Sequence, residues 1–276
     1  MGLAYQRFTH FSVKRTGTDI SLDISFIDSN REDILSLLLD SQDFTVKAAQ
    51  CETPRNPGGF MGLRDLNALR GQKVYLQGAK GIKESLMALE AEEREHFYNL
   101  LLGGISTVVQ AEVFLLAERG FATPGDYEDF FQKAYQNGCV FYSNLGRVER
   151  DFTAYVEENH KGRGRGSLFN RQNLVTVRKA PMEDRFLVRG NLCDSFHEIA
   201  MKIMVDFDFN ILAVRSSMLR FPDPVCKEAM STFNSLVGKR MVPENTSQLL
   251  SCSHGNSGCA HLGDLVIEGA RALKKL

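Results

Sequence analysis

Cysteine and histidine crowd the end of the chain. The run Cys252-Ser253-His254-Gly255-Asn256-Ser257-Gly258-Cys259-Ala260-His261 holds two of the six cysteines and two of the six histidines. Thiolate and imidazole are the side chains that bind zinc or iron well near neutral pH. Ser257 with Gly258 reads as a helix start, so Cys259 falls in a first turn, where free amides and the helix dipole favour a thiolate. The run Arg220-Phe221-Pro222-Asp223-Pro224-Val225-Cys226 is built alike, with Asp223 as N-cap, Pro224 at the first helical position and Cys226 in the first turn. His261 lies two residues past Cys259, about 200 degrees round a regular helix. One ion joins both only if that turn is distorted or Cys259 lies just outside it. His197, in Ser195-Phe196-His197-Glu198-Ile199, opens a strand and can turn toward the same helix ends. The expected metal ligands are therefore Cys226, Cys259, His261 and His197, with Cys193 as a further cofactor-binding thiol. Cys252 and His254 rank second. Cys139, His10, His96 and His160 read as structural residues.

The elements that must position these groups occur twice. One segment runs Asp28-Ser29, Leu35, Leu37, Leu39-Asp40, Phe44, Val46, Ala48, then Pro54 and Pro57; another, about 165 residues on, runs Asp194-Ser195, Met201, Ile203, Val205-Asp206, Phe209, Ile211, Ala213, then Pro222 and Pro224. Each reads as two strands around a turn near the aspartate. Each leads to Asn-x-Leu-x-Gly, at Asn67 to Gly71 and Asn234 to Gly238, with glycine where a helix end takes positive φ. Each then reaches a Gly-Cys, at Gly138-Cys139 and Gly258-Cys259. The order predicts an α+β chain of two tandem repeats, 1–160 and 167–276, each an antiparallel sheet packed with helices. The first repeat carries a helical insertion over about 72–137, containing a long amphipathic helix from about Lys83 to Gly120 and another from Tyr127 to Asn137. A further helix spans about Arg147 to Glu158. The Gly/Arg run His160 to Gly166, with Arg163 and Arg165, reads as the linker. In the first repeat Glu32 or Asp33 takes the place of His197 and Phe141 that of His261, leaving that half poor in ligands.

A chain of 276 residues, 43% apolar and 24% charged, can bury a full core. With a net charge of -1, no global field attracts nucleic acid or anionic lipid, and no aromatic residues interleave the Gly/Arg run to stack bases. The expected partners include neither nucleic acid nor membrane. There are no eighteen consecutive apolar residues and no apolar leader in MGLAYQRFTHFSVKRTG, so a soluble, cytoplasmic protein is expected. Six cysteines in so long a chain suit reduced thiols or ligands better than a disulfide framework. Phosphate loops, dinucleotide fingerprints and serine-hydrolase elbows are not evident.

The motifs His197-Glu198-Ile199, Pro222-x-x-x-Cys226, Leu236-x-Gly238 and Gly258-Cys259-x-His261-Leu262 resemble a bacterial family known only as a domain of unknown function. That family ends in Gly-Cys-Thr-His-Leu, where this chain has Ala260 for the threonine. More remotely, the order of hairpin, helix-start cysteine and final cysteine-led helix is similar to iron-sulfur scaffolds of the SufE and NifU/IscU type. In those scaffolds thiols gather at one end of a sheet, and Cys193, Cys226 and Cys259 fall in comparable places. Gly258 stands where the scaffolds have a histidine. The resemblance implies a zinc or iron ion, or an iron-sulfur cluster, in a scaffold, carrier or sensor whose partner is a sulfur donor or acceptor protein. Two other readings stay open: a metal- or thiol-dependent enzyme with Cys226 as nucleophile or sulfur acceptor, and an interaction module with a structural zinc.

Overall fold

A computed structural model describes residues 2–162, 166–180 and 184–276. Arg163 and Arg165 of the expected linker lie outside the described residues. The fold is α+β. The strands are β1 (Gly2–Thr16), β2 (Asp19–Asp28), β3 (Glu32–Leu39), β4 (Val46–Arg55), β5 (Gly62–Asp65), β6 (Ser167–Lys179), β7 (Arg185–Asp194), β8 (Glu198–Asp206) and β9 (Ile211–Arg220). They form one antiparallel sheet in the order β5-β4-β3-β2-β1-β6-β7-β8-β9, where the sequence predicts a sheet for each half. Period-two patterning builds it: Ile20, Leu22, Ile24 and Phe26 of β2 are buried while Ser21, Asp23 and Ser25 face outward, and Ile199, Met201, Ile203 and Val205 bury one face of β8.

Among the described residues there are eight α-helices: α1 (Ala79–Ser85), α2 (Ala91–Ala111), α3 (Pro124–Ala134), α4 (Val140–Ser143), α5 (Phe152–Asn159), α6 (Ala229–Thr232), α7 (Thr246–Ser251) and α8 (Ala260–Leu273). The chain divides into two compact units. One comprises Thr9–Tyr127 with Asn159–Arg171, the other Met1–Phe8, Glu128–Glu158 and Gln172–Leu276. Residues 128–158, which the sequence assigns to the first half, thus cluster with the C-terminal residues.

In the first of these units the long helix expected over Lys83 to Gly120 is broken. Leu86, Met87 and Leu89 donate their amides three residues back, and Glu90, with ψ 150, caps α2, whose first turn carries Glu92 and Glu93 against the dipole. The segment Ala91–Phe114 is long and apolar enough to cross a membrane, yet 61% of its apolar window is buried in the fold. Its Gly104 meets the sheet so closely that a Cβ there would stand 2.9 Å from Leu22 Cδ2. It is a core helix.

In the C-terminal unit α8 buries Leu262, Leu265, Val266, Gly269, Ala270 and Leu273, the stripe its sequence predicts. At Gly269 a Cβ would stand 3.0 Å from Val188 and 3.3 Å from Met201, so the helix backbone lies against β7 and β8.

The β3–β4 and β8–β9 hairpins turn alike, the key amide reaching four residues back in the first and three in the second. Phe44 (φ 61) and Phe209 (φ 63) adopt the left-handed conformation and donate their amides to the carbonyls of Asp40 and Asp206. Both phenylalanine carbonyls accept amides from a later segment, those of Val74 and Met241. Gly71 (φ 83) and Gly238 (φ 80) reverse the chain after Leu69 and Leu236, and their amides bind the carbonyls of Val46 and Ile211.

Candidate metal centre

Asp194 ends β7, and its tight turn into β8 fixes its carboxylate. Oδ1 accepts the backbone amides of Phe196 at 2.8 Å and His197 at 2.7 Å, the bonding that makes aspartate a turn residue. The turn is stapled from outside by Arg220, whose Nη2 donates to the carbonyls of Asp194 at 2.6 Å and His197 at 3.2 Å. From inside it is anchored by the fully buried Phe196, which meets Phe152 edge-on at 5.1 Å and whose carbonyl accepts the Tyr155 hydroxyl at 3.1 Å.

The backbone bonds to Oδ1 leave the carboxylate facing two imidazoles. His197 Nδ1 lies 3.1 Å from Oδ1, and His261 Nε2 lies 3.8 Å from Oδ2. The imidazole rings are 4.0 Å apart at their centroids and tilted by 33°. One ligand atom from each of Asp194, His197 and His261 falls within 4.8 Å of the others, the one such grouping among the described residues. Two donors bound to one ion at about 2.0 to 2.2 Å stand roughly 3 to 3.5 Å apart, so closing the set needs donor atoms to approach by a few tenths of an ångström up to about 1.5 Å. Two rings at this distance would repel if both were protonated, and a shared cation removes that conflict. Two imidazoles and a carboxylate suit zinc or ferrous iron and leave coordination positions open.

The cysteines stand around this set in other roles. The last helix begins two residues later than its sequence suggests, at Ala260, with Cys259 as an extended N-cap at φ -130, ψ 121. That places Cys259 outside the first turn. Its Sγ lies 4.0 Å from His261 Nδ1, the ring nitrogen other than the one that faces Asp194, where it can orient the imidazole. Burial pushes the Cys259 thiol up to about 12. Cys226 does sit in the first turn after the Asp223 cap, where Asp223 Oδ1 accepts the Val225 amide at 2.9 Å, but that turn is a 3-10 turn and Cys226 is outside the Asp194 grouping. Burial, then the nearby charges that Cys259 and Cys139 would carry, push its thiol well above the ordinary range. Cys193 is half-buried at the end of β7, 3.4 Å from Arg220 Nη2. Cys252 ends α7, and the His254 ring covers Gly263 of α8, where a Cβ would come within 1.8 Å of Cε1. Of the expected residues the fold thus joins His197 and His261 and sets Cys259 beside them, while Cys226 lies near Cys259 but outside the grouping and Cys193 lies beside Arg220. The residue missed was Asp194; an acid three positions before a histidine, in a turn between strands, was its signal.

Gly258 holds this end in place. A Cβ there would stand 2.3 Å from the Ser253 carbonyl oxygen and 2.6 Å from the His254 nitrogen, both backbone atoms. The same Ser253 oxygen accepts the Cys259 amide at 2.7 Å, and the Gly258 carbonyl accepts the Val140 amide at 2.8 Å. Gly258→Ala is expected to cost about 1 to 3 kcal/mol of stability by forcing this loop outward. Urea unfolding at neutral pH measures it, and a variant as stable as the parent would contradict the assigned crowding.

No curated protein and no solved structure matches the chain. Residues 176–274 match a family described as a protein of unknown function, DUF2889. A DUF2889 domain therefore covers residues 176–274, the stretch that supplies Asp194, His197 and His261.

Proposed function

We propose that the DUF2889 domain holds one exchangeable transition-metal ion, zinc or iron, on Asp194, His197 and His261, and acts as a metal carrier or sensor. The observation that carries this reading is the convergence of the three ligand atoms within 4.8 Å around a fully buried carboxylate. The imidazoles are 12% and 14% exposed, enough for an ion to enter and leave. An iron-sulfur cluster is the less supported alternative, because the converging ligand atoms come from a carboxylate and two imidazoles and none from a thiol. The reading of the chain as tandem repeats is supported by the matching turn bonds at Phe44 and Phe209 and at Gly71 and Gly238.

A thiol-enzyme reading keeps one specific support, and it moves the nucleophile from Cys226 to Cys259, which lines up with His261 and Asp194. Metal content separates the two. Full-length chain purified anaerobically is expected to contain close to one equivalent of zinc or iron without acid-labile sulfide. Protein that carries no metal and takes up no cobalt(II) would overturn the metal reading, and rapid alkylation of Cys259 in that protein would favour the thiol one.

A further inference from the structure

The other compact unit contains a buried charged cluster that the metal site does not use. Asp33 has no exposed side-chain surface. It accepts hydrogen bonds from Arg31 Nε at 2.6 Å and Nη2 at 3.2 Å, from Thr53 Oγ1 at 2.7 Å and from His96 Nε2 at 2.7 Å. Arg31 Nη2 also lies 3.9 Å from Glu93, which accepts from Arg64 at 2.8 Å.

Arg31 has the backbone setting of His197. Asp28 Oδ1 accepts the amides of Asn30 and Arg31, as Asp194 Oδ1 accepts those of Phe196 and His197. Arg55 Nη2 donates to the carbonyls of Asp28 and Arg31, as Arg220 Nη2 does to those of Asp194 and His197. His96 has the setting of His261. His96 precedes Gly104, and His261 precedes Gly269, by eight residues in each case. Those glycines meet Leu22 and Val188, each six residues before its turn aspartate. Asp33, second in β3, corresponds to Ile199, second in β8.

We infer that the Arg31, Asp33 and His96 cluster is the counterpart of the Asp194 site, in which the Arg31 guanidinium takes the position of the divalent cation. This inference rests on the metal reading proposed above. By this correspondence Arg31 and His96, rather than Glu32 or Asp33 and Phe141, match His197 and His261. Where one unit has a histidine ligand the other has a fixed positive charge, and where one has an isoleucine the other has the carboxylate that neutralises that charge. One unit is completed by its own side chain and the other by an ion, so only the second responds to metal supply.

Removing the built-in cation should open a site. In the full-length His261→Ala chain, which lacks the first site, Arg31→His is expected to bind one cobalt(II), with an affinity at least about tenfold above His261→Ala alone and a rise in unfolding temperature on cobalt(II) addition. His96→Ala added to that chain should abolish both. Arg31→Ala is a second variant, expected to be rescued in folding by cobalt(II). A folded Arg31→His, His261→Ala chain that takes up no cobalt(II), or failure of both Arg31 variants to fold with cobalt(II) present, would overturn the inference. Uptake by these variants while the unaltered chain binds none would instead sink the Asp194 site and leave the Arg31 pocket standing.

Discussion

Replacing His261 with alanine is expected to abolish stoichiometric cobalt(II) binding, with a loss of affinity of more than about 100-fold. An outer-sphere partner of a ligand costs only about 10- to 100-fold, and His261 is one of the three groups that converge among the described residues. His197→Ala should do the same. For the third ligand the informative change is Asp194→Asn. An asparagine oxygen still accepts the amides of Phe196 and His197, so the turn survives while the anionic ligand is lost. Cys259→Ser, which alters only the neighbour of His261 Nδ1, should fall in the 10- to 100-fold class, and Cys226→Ser should leave binding unchanged. Titration of each purified variant by visible absorbance, with far-ultraviolet dichroism to establish folding, gives the ranking. If Cys226→Ser removed the metal and His261→Ala kept it, the ligand set would be the thiols after all.

The differences between these residues explain what could be read in the sequence. Alternating patterns in β3 and β8, the Asn-x-Leu-x-Gly stops, the Asp223-Pro224 cap and the apolar stripe of α8 are local, and each appears in the structure near where it was expected. His197 and His261 were legible as candidates because histidine at an element start is conspicuous. The start of α8 was not legible, since the Cys259 amide is taken by the Ser253 carbonyl rather than by Ser257 as a cap. That two-residue shift puts Cys259 beside His261 Nδ1, the ring nitrogen that does not face Asp194. Asp194 was hidden because its turn bonds give an aspartate sufficient reason to be there. For Cys226 the expected helix start is present, but burial outweighs the turn's favour for a thiolate. The packing of residues 128–158 with the C-terminal residues depends on long-range contacts that no local pattern announces.

Asp33→Asn is expected to be the most destabilising single change in the other unit, costing about 3 to 5 kcal/mol, a large share of the roughly 5 to 15 kcal/mol that holds a domain folded. The aspartate receives four hydrogen bonds from Arg31, Thr53 and His96 and a longer one from the Cys51 thiol, and asparagine would turn an amide group toward one of those donors. Arg31, with only 13% of its side chain exposed, would lose its buried counter-charge. Removing the whole conflict should be milder: Asp33→Ile with Arg31→Leu places apolar groups where charges stood, and should cost less than Asp33→Asn alone. The acid limb of stability carries a second signature. Burial alone would raise the Asp33 carboxyl, but hydrogen bonds from His96 and Arg31 and the His96 charge outweigh it and hold it below the ordinary 3.8. A carboxyl lowered in the folded state contributes stability above its unfolded value and loses it as pH falls through the folded one. The parent chain should therefore lose stability steeply below pH 3.8, and Asp33→Asn, already without that contribution, should lose less over the same interval. Urea unfolding from about pH 7 down to about pH 3 measures both slopes. Equal acid slopes in parent and variant would show that Asp33 does not hold the charge assigned to it.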